Sequence, residues 1–376
     1  MRIKASNGKW DAIVIGGGPS GSSFALAAAR AGLRVLLFER SKAAHHKVCG
    51  EFISAETQAL LSECGIDLDR MGAPKQPTLR LVSGRVQMEA PLPFCGRSLS
   101  RKALDELLLQ EAAAAGVEVR RGTRITHLQP GESGADPATV TVAGGEKLRA
   151  PAAVMAAGAS TVRGIERRII SPLVGFKIML SLTPAAQAGL ANHVQLMGYN
   201  GGYQGALIVE DGLASLAWIM DAGQAKKLGT DWQKHATFLA GQSPVAGDML
   251  SGARTDWPRS LTVSGLEFGF LRSSVIGANI YPVGGQMAII PSFTGDGLAV
   301  ALGTGIEAAR AVAAGRTADH YQQEMLRRLK SQFRWARALH PLFLYGWTRR
   351  AGLTAATAFP HIVTLVANAT RLRNLP

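Results

Sequence analysis

Residues 11–39 carry the sequence DAIVIGGGPSGSSFALAAARAGLRVLLFE, and this stretch predicts a β-α-β unit. The apolar run Ala12–Ile15 predicts a buried strand, and the glycines that follow predict a tight turn. The next residues predict a helix over about Ser20–Ala31, and the run Arg34–Phe38 predicts a second strand. Because the glycines stand between a strand and a helix, the whole unit predicts a dinucleotide-binding site.

The turn follows the pattern G-x-G-x-x-G at Gly16, Gly18 and Gly21. In this pattern the first glycine allows the turn, the second lets the backbone approach a pyrophosphate, and the third lets the helix pack closely on the strand. Pro19 and Ser20 stand at the start of the helix, where free N–H groups and the positive end of the helix dipole favour phosphate.

Glu39 closes the second strand of this unit. An acidic side chain at this place can accept a hydrogen bond from a ribose 2′-hydroxyl, and it disfavours a 2′-phosphate. The sequence therefore predicts FAD or NAD rather than NADP as the bound dinucleotide.

The composition is that of a globular protein with a large core. The chain has 376 residues, of which 47% are hydrophobic and 18% are charged, and this length suggests two or three lobes. The net charge of +14 suits a nucleic acid, an anionic membrane surface or an anionic substrate. No nucleic-acid-binding motif accompanies the basic residues, so we expect no nucleic-acid partner.

The cysteines Cys49, Cys64 and Cys95 show neither a C-x-x-C pair nor a Cys/His metal spacing. This usage predicts a reducing compartment, hence a cytoplasmic protein, without a structural metal. Residues Met1–Lys9 are polar and few, so no signal peptide is predicted.

Further elements complete the first lobe. They are a basic loop over residues 40–51, a helix after Ser54, a strand over Leu79–Glu89, a helix over Ala103–Ala115, strands over Val117–Val119 and Ile125–Leu128, a hairpin of Thr139–Val142 and Lys147–Arg149, and a strand over Ala152–Ala156. This order predicts an α/β, doubly wound domain.

The pattern changes after Pro172. Four apolar runs follow one another at Leu173–Leu182, His193–Gly198, Gly202–Val209 and Leu213–Met220. Consecutive strands without helices between them predict an antiparallel sheet, which we interpret as a substrate domain over residues 171–269. A helix over Trp232–Ala240 is predicted to return the chain, and residues 270–318 would complete the first domain, whose other part is residues 1–170.

Residues 319–376 are predicted to form a helical C-terminal segment. Before it, Gly295-Asp296-Gly297 opens an apolar helix that extends to about Ala314. Within the segment, His320–His340 predicts a basic helix, and Ala351–Thr370 carries no charge but contains Pro360. Three interpretations of this uncharged stretch stay open: a helix docked on the protein, a peripheral membrane contact, or a membrane span.

Four motifs in this order resemble the FAD-dependent oxidoreductases of the geranylgeranyl reductase type, within the wider group of aromatic-hydroxylase-like monooxygenases and flavin-dependent halogenases. They are the Gly16-to-Glu39 unit, KVCGE at Lys47–Glu51, SLSRKALDELL at Ser98–Leu108 and IPSFTGDGLAVAL at Ile290–Leu302. The resemblance implies an FAD-binding Rossmann-like fold with an inserted antiparallel substrate domain.

The resemblance also implies site residues. Those expected to hold FAD are Gly16, Gly18, Pro19, Ser20, Gly21, Glu39, Arg40, Val48, Cys49, Gly50, Arg101, Ile125, Ala156, Gly158, Gly284, Gly285, Pro291, Gly295, Asp296, Gly297 and Leu298. Arg101 would contact the phosphates or the ribityl chain, and the residues after Pro291 would lie against the isoalloxazine. Cys49 and Asp296 are the candidate catalytic residues.

Two positions depart from the family pattern. Gly284-Gly285 stands where the family usually has Gly-Asp, whose aspartate accepts a hydrogen bond from the ribityl chain. Losing that partner is expected to cost on the order of 1.5–3 kcal/mol of FAD binding, or roughly tenfold to a hundredfold in affinity, and Gln286 is the residue that could compensate. Ala157-Gly158 replaces the Asp-Gly of the hydroxylases, and the halogenase motif W-x-W-x-I-P is absent from the sequence.

Three functions follow as alternatives. The first is an FAD enzyme that acts on a hydrophobic small molecule by hydride transfer through flavin N5, with Met179, Met197, Trp218 and Met220 as pocket or core residues. The second is a monooxygenase that uses a flavin hydroperoxide, and the third is a binding module that has lost FAD. No second G-x-G-x-x-G follows a strand, so the electrons would come from a transiently bound NAD(P)H or from a partner protein.

Overall fold

The computed structural model describes residues 9–132, 136–165, 171–359 and 361–372. The segment Met1–Lys9, interpreted above as too polar for a signal peptide, lies outside these residues except for Lys9, and so does Pro360.

A five-stranded parallel sheet carries the first lobe. Its strands in spatial order are β17 (Ile280–Pro282), β10 (Ala152–Met155), β1 (Ala12–Ile15), β2 (Val35–Glu39) and β6 (Glu118–Arg121). Alternate residues of each strand face opposite sides, and both sides are apolar. The predicted β-α-β unit is confirmed, and its strand and helix bounds agree within one residue.

Helices cover one face of this sheet, and a small sheet covers the other. The helices are α1 (Pro19–Arg30), α2 (Ala55–Glu63), α3 (Arg101–Ala114) and α8 (Gly297–Ala313), with α1 packed between α3 and α8. On the other face lies a three-stranded antiparallel sheet of β7 (Ile125–Gln129), β8 (Ala138–Val142) and β9 (Lys147–Ala150). The predicted α/β, Rossmann-like fold class is confirmed.

An eight-stranded sheet forms the second lobe. Its order is β15 (Leu261–Ser264), β11 (Leu173–Leu180), β14 (Ala214–Asp221), β13 (Gly202–Ile208), β12 (His193–Tyr199), β4 (Lys75–Ser83), β5 (Val86–Ser98) and β3 (Phe52–Ile53). The pair β4–β12 is parallel, and the other pairs are antiparallel.

Three details of the second lobe correct the expectations. The single strand predicted over Leu79–Glu89 is wrong, because Gly84 adopts a positive φ of 59° and turns the chain between β4 and β5. The helix α4 (Pro184–Leu190) interrupts the predicted run of strands. The sheet also extends beyond residues 171–269, since β3, β4 and β5 come from the first part of the chain.

Short helices pack on one face of the eight-stranded sheet. These are α4, α5 (Ala222–Leu228), α6 (Trp232–Ala240) and α7 (Pro244–Leu250), and they bury Trp218 and Trp232 with a cluster of aliphatic side chains. The predicted helix over Trp232–Ala240 is confirmed. A two-stranded antiparallel ribbon is formed by β16 (Phe270–Leu271) and β18 (Ala288–Ile289), which flank β17 in the sequence.

The C-terminal segment consists of four helices: α9 (Ala318–Leu339), α10 (Pro341–Leu344), α11 (Gly346–Ala358) and α12 (His361–Thr370). α10 and α11 contact strands β4, β12 and β13, and α12 contacts β5 and α9. Within the described part of the chain, no helix has both the length and the apolar character needed to cross a membrane.

Candidate functional site

A cavity of about 1220 Å³ lies between the parallel sheet and the eight-stranded sheet. Most of the predicted cofactor residues line it: Gly16, Gly18, Pro19, Ser20, Glu39, Arg40, Val48, Cys49, Gly50, Arg101, Ile125, Ala156, Gly158, Gly285, Gly295, Asp296, Gly297 and Leu298. Three do not. Gly21 packs against Gly16, Gly284 packs against Ser20, and Pro291 lies behind its lining neighbours Ile290 and Ser292.

The glycine turn after β1 is held by close backbone contacts. Gly16 has a φ of 111°, and a Cβ there would meet the carbonyl oxygen of Ala156 at 2.5 Å. A Cβ on Gly21 would overlap the carbonyl oxygen of Gly16. These two glycines therefore let β1, β10 and α1 approach one another, which opens the α1 N-terminus towards the cavity.

Two cations stand beside Gly18. The place of its missing Cβ is 3.7 Å from Nη2 of Arg101 and 3.8 Å from Nζ of Lys47. Both cations pair with Asp105, Arg101 through two bonds of 2.7 and 2.8 Å and Lys47 at 3.1 Å. Although burial opposes it, the pKa of Asp105 is lowered by Arg101 and Lys47, so the cluster keeps an excess positive charge where a pyrophosphate would lie.

Lys47 is a residue that the sequence reasoning missed as a ligand. Its signal was present, because it opens the KVCGE motif, but no role was assigned to it. Its position beside Gly18 is visible only once the loop after β2 folds back over the α1 N-terminus.

Glu39 is buried and anchored. Its carboxylate accepts hydrogen bonds from the backbone N–H of Gly17 at 2.9 Å and of Ser41 at 2.8 Å. Burial works to raise the pKa of Glu39, but the two N–H donors and Lys47 lower it below its ordinary value. A carboxylate fixed as an anion at the cavity wall suits a ribose hydroxyl and repels a 2′-phosphate, as the sequence predicted.

Helices α1 and α8 begin at the cavity without a side-chain cap, and the C-terminal helices α10 and α11 lack one as well. Helices α2 to α7 and α9 each begin with a serine, threonine or aspartate that accepts a backbone N–H. The N-caps of α1 and α8, Gly18 and Asp296, form no such bond. A Cβ on Gly297 would meet nothing within 4 Å, so both helix N-termini offer their N–H groups to a ligand.

These observations fit FAD. The α1 N-terminus with Arg101 and Lys47 suits the pyrophosphate, Glu39 suits the adenosine ribose, and the α8 N-terminus suits the electron-rich edge of a flavin. The predicted helix opened by Gly295-Asp296-Gly297 is confirmed as α8, with Gly295 in the left-handed region at a φ of 74°.

The loop Cys49-Gly50-Glu51 is tied to both lobes. Glu51 has a φ of 59°, and its carboxylate accepts the N–H of Arg101 at 2.7 Å and forms a fully buried ion pair with Lys177 on β11. Its N–H donates to Sγ of Cys49 at 3.4 Å. The ion pair therefore fixes the cysteine loop between the phosphate-binding helix and the eight-stranded sheet. The sequence reasoning missed Lys177, whose only signal is a charge inside an apolar strand.

Asp296 is a buried carboxyl at the start of α8. Burial raises its pKa to about 7, and Glu56 adds to this, whereas Ser54 and Arg371 oppose it. Ser54 stands near but makes no well-aligned hydrogen bond, and neither carboxylate oxygen has a hydrogen-bond partner among the described residues. The group can therefore hold a proton at neutral pH.

We expect Asp296→Asn to remove a pH-dependent contribution to stability. Between pH of about 4 and 7 the native state keeps a proton that the unfolded chain releases, so the unfolding free energy of the natural protein falls as pH rises. The stability of the variant relative to the natural protein should increase by up to about 4 kcal/mol over this range. Urea unfolding of the FAD-free proteins at several pH values measures it, and a difference that is independent of pH would contradict the raised pKa.

Gly285 lines the cavity, but its neighbours constrain it. A Cβ there would lie 3.1 Å from the carbonyl carbon and oxygen of Gly158. Gln286 donates its amide N–H groups to the carbonyl oxygens of Gly158 at 2.6 Å and Ser160 at 2.8 Å. Gln286 therefore holds the loop after β10, and it is not among the residues that line the cavity, which speaks against the expected compensation by its amide oxygen at the ribityl chain.

We expect Gly285→Asp to tighten FAD binding by up to about tenfold, because it restores a carboxylate acceptor at the cavity wall. The new Cβ must displace the Gly158 backbone by a few tenths of an ångström, so the FAD-free protein should lose about 1 kcal/mol of stability. Gly285→Ala is the matched control, with the same crowding and no carboxylate. FAD titration and thermal unfolding give both quantities, and weaker FAD binding in the aspartate variant than in the alanine variant would refute the assignment.

The rest of the cavity is apolar. Alternate residues of β12 and β13 face it, among them Val194, Leu196, Gly198, Gly205 and Leu207, and residues of β4 and β5 continue this wall. Of the four residues considered for the pocket, Trp218 is among the lining residues, but its ring packs on Trp232 and His235 in the buried cluster. Met179, Met197 and Met220 do not line it and belong to buried clusters. Side chains of α11 and α12 close the opposite side.

Comparisons with known proteins agree with this geometry. Residues 9–170 match the family described as FAD binding domain. Menaquinone reductase of Mycobacterium tuberculosis is 24% identical over 314 residues, which cover 78% of this chain and 74% of that protein. Geranylgeranyl diphosphate reductase of Rhodobacter capsulatus is 38% identical over 118 residues, which cover 31% and 28%.

A likeness among solved structures extends over both lobes. The myxobacterial chondrochloren halogenase CndH, an FAD-dependent halogenase, superimposes with a TM-score of 0.76 at 19% identity, covering 96% of this chain and 91% of that one. At this identity the likeness concerns the fold alone.

Proposed function

We propose that this protein is a reductase of a long apolar substrate of the isoprenoid type. The chain is an FAD-dependent enzyme with an FAD-binding domain at residues 9–170. FAD, the predicted cofactor, is confirmed by that domain, and the alternative of a binding module without cofactor is not retained. Two of the similar proteins, menaquinone reductase and geranylgeranyl diphosphate reductase, act on substrates of this class and support this choice.

One observation carries the proposal: the cavity continues from the cofactor residues into a groove with apolar walls. Leu79, Leu81, Val194, Leu196 and Leu207 line it from the sheet. Small residues lie along its floor, where Gly205 leaves space that a side chain would fill. A groove of this kind binds an extended apolar chain through burial of its surface, without directional partners.

The C-terminal segment completes the groove. Leu353, Ala356 and Val363 of α11 and α12 pack against Met88 and Ala90 of β5 and face the cavity from the side opposite the sheet. Water is thereby kept from the apolar part of the site, which strengthens every polar interaction at its end.

When bound and reduced, FAD would supply a hydride from its N5 position. The chain's residues would provide its environment: the α8 N-terminus would stabilise negative charge on the flavin, and Glu39, Arg101 and Lys47 would orient the nucleotide part. Burial raises the pKa of Asp296 to about 7, so this carboxyl can hold or release a proton in the same region near neutral pH. We keep NAD(P)H as the proposed transient electron donor.

Cys49 is the second candidate catalytic residue, and its thiol lies half-buried at the cavity wall against Arg101. If the thiol takes part in the reaction, Cys49→Ala should retain FAD and turn over at least about tenfold more slowly. Flavin absorbance and the rate of substrate-dependent flavin reoxidation measure the two effects. Unchanged turnover would remove Cys49 from the mechanism and leave it as a residue of the loop.

The proposal is tested by reducing the FAD-loaded protein without oxygen and adding geranylgeranyl diphosphate or menaquinone. We expect flavin reoxidation and a product that has gained two hydrogens and keeps them in air. A hydroxylated product formed only with oxygen would favour the monooxygenase alternative instead.

A variant of the groove separates chain recognition from chemistry. Gly205→Leu should slow reoxidation by geranylgeranyl diphosphate at least about tenfold, since it fills the groove, and slow reoxidation by the shorter geranyl diphosphate, which carries the same type of double bond, clearly less. Gly189→Leu, at an exposed position of α4 with open space around it, is the matched control. Equal effects on long and short substrates would contradict the groove as the binding site.

A further inference from the structure

We propose that the outer face of the C-terminal segment docks on an anionic membrane surface, and that the apolar substrate enters the cavity from the bilayer between α11 and α12. This goes beyond the proposed reaction, because it concerns where the protein works and how the cavity is filled.

The first observation is a concentration of exposed apolar side chains. Five of the seven large hydrophobic residues that the described chain exposes lie between residues 335 and 365: Trp335, Tyr345, Trp347, Phe359 and Leu365. Trp347 is 78% exposed, and the other four are more than half exposed. Aromatic side chains of this kind prefer the interface between water and lipid, where the ring is buried and the polar atom stays hydrated.

The second observation is a basic stripe on α9. Arg327, Lys330, Arg334 and Arg337 are exposed and recur at intervals of three or four residues, so they share one face of the helix. None of them forms an ion pair with a residue that the structure describes. The opposite face of α9, with Met325, Leu329 and Phe333, is buried against the protein.

The positive charge of this surface favours an anionic membrane as its partner. The sequence from Met325 to Pro376 contains no aspartate or glutamate, and Arg350 adds a further exposed cation on α11, three residues from Trp347. Interleaved cations and aromatic residues complement a bilayer with anionic headgroups. Because no described helix can cross a membrane, the contact is one of helices lying on the surface.

The same helices also line the cavity. On α11, Trp347 and Arg350 point outwards, whereas Gly352, Leu353 and Ala356 line the cavity. On α12, Leu365 is exposed, whereas Ile362, Val363 and Val366 line the cavity. A wall one helix thick thus separates the substrate groove from the proposed membrane contact, and its outer side carries both aromatic and cationic side chains.

The test is flotation of the full-length, FAD-loaded protein with vesicles of phosphatidylcholine alone or of equal parts phosphatidylcholine and phosphatidylglycerol. We expect binding to the anionic vesicles at least about tenfold tighter than to the neutral ones. Lys330→Glu with Arg334→Glu should abolish this preference, and Trp347→Ser should weaken binding several-fold to both vesicles.

The matched control reverses two exposed cations elsewhere, Lys226→Glu with Lys227→Glu on α5, and should bind as the natural protein does. FAD absorbance and thermal unfolding confirm that each variant is folded. Absence of vesicle binding, equal binding to both compositions, or equal loss in the control and the test variants would overturn the proposal. Vesicle binding does not depend on turnover, so this result is separate from that of the reductase assay.

Discussion

Gly18→Asp is expected to lower the affinity for FAD at least about a hundredfold while the protein still folds. Gly18 has a φ of −80° and a ψ of −176°, which any residue can adopt. A Cβ at this position would be in ordinary contact with Arg101 and Lys47, at 3.7 and 3.8 Å. The new carboxylate would pair with these two cations, cap α1 and occupy the place of the pyrophosphate, and its charge would repel the phosphates.

Flavin fluorescence during titration with FAD measures the affinity, and urea unfolding of the FAD-free protein measures the stability. The stability should stay equal or rise, since the carboxylate caps α1. Gly18→Ala is the matched control, which adds the Cβ without the charge and should weaken FAD binding less. If the aspartate variant bound FAD as tightly as the alanine variant, the phosphate site would not lie at the α1 N-terminus.

Lys177→Met is expected to destabilise the protein by about 3–5 kcal/mol. Lys177 and Glu51 are both fully buried and pair with each other. Removing the lysine leaves a carboxylate in the interior with the N–H of Arg101 as its remaining described hydrogen-bond donor, and the desolvation of that charge is no longer compensated.

A double-mutant cycle isolates the pair. Glu51→Gln keeps an acceptor for the N–H of Arg101, so the double variant Glu51→Gln/Lys177→Met should be destabilised by clearly less than the sum of the two single variants. The exposed pair Arg34–Asp11 gives a comparison, because Arg34→Met should cost under about 1 kcal/mol. A cost below about 1 kcal/mol for Lys177→Met would contradict a stabilising role of the buried pair.

Local patterns in the sequence were sufficient for the nucleotide-binding lobe. The spacing in the sequence predicts the structure of this unit directly, because its strand, the turn at Gly16, its helix and Glu39 are close in the chain. The N-terminus of α8 was likewise visible in Gly295-Asp296-Gly297. The break at Gly84 was also local, but its turn signal was overridden by the apolar residues on either side.

The substrate side was not predictable in the same way. Lys177 and Glu51 meet across 126 positions of sequence, and no spacing rule relates residues so far apart. The groove residues of β12 and those of the buried cluster alternate along one strand, so the sequence shows that two faces exist but not which one meets the cavity. For this reason the neighbouring residues Met197 and Leu196 face opposite sides of the sheet: Met197 lies in the buried cluster and Leu196 lines the cavity.

The position of β17 at the edge of the parallel sheet has a consequence for how the nascent chain matures. β17 pairs with β10 only after residue 282 has been synthesised, and α8 packs on α1 later still. In the same way β4 can pair with its parallel partner β12 only after β12 has been synthesised. When only the first 170 residues have emerged from the ribosome, neither the nucleotide-binding pocket nor the eight-stranded sheet can therefore be complete. This topology predicts that FAD binds only at the end of translation, when the whole chain is available to form the pocket.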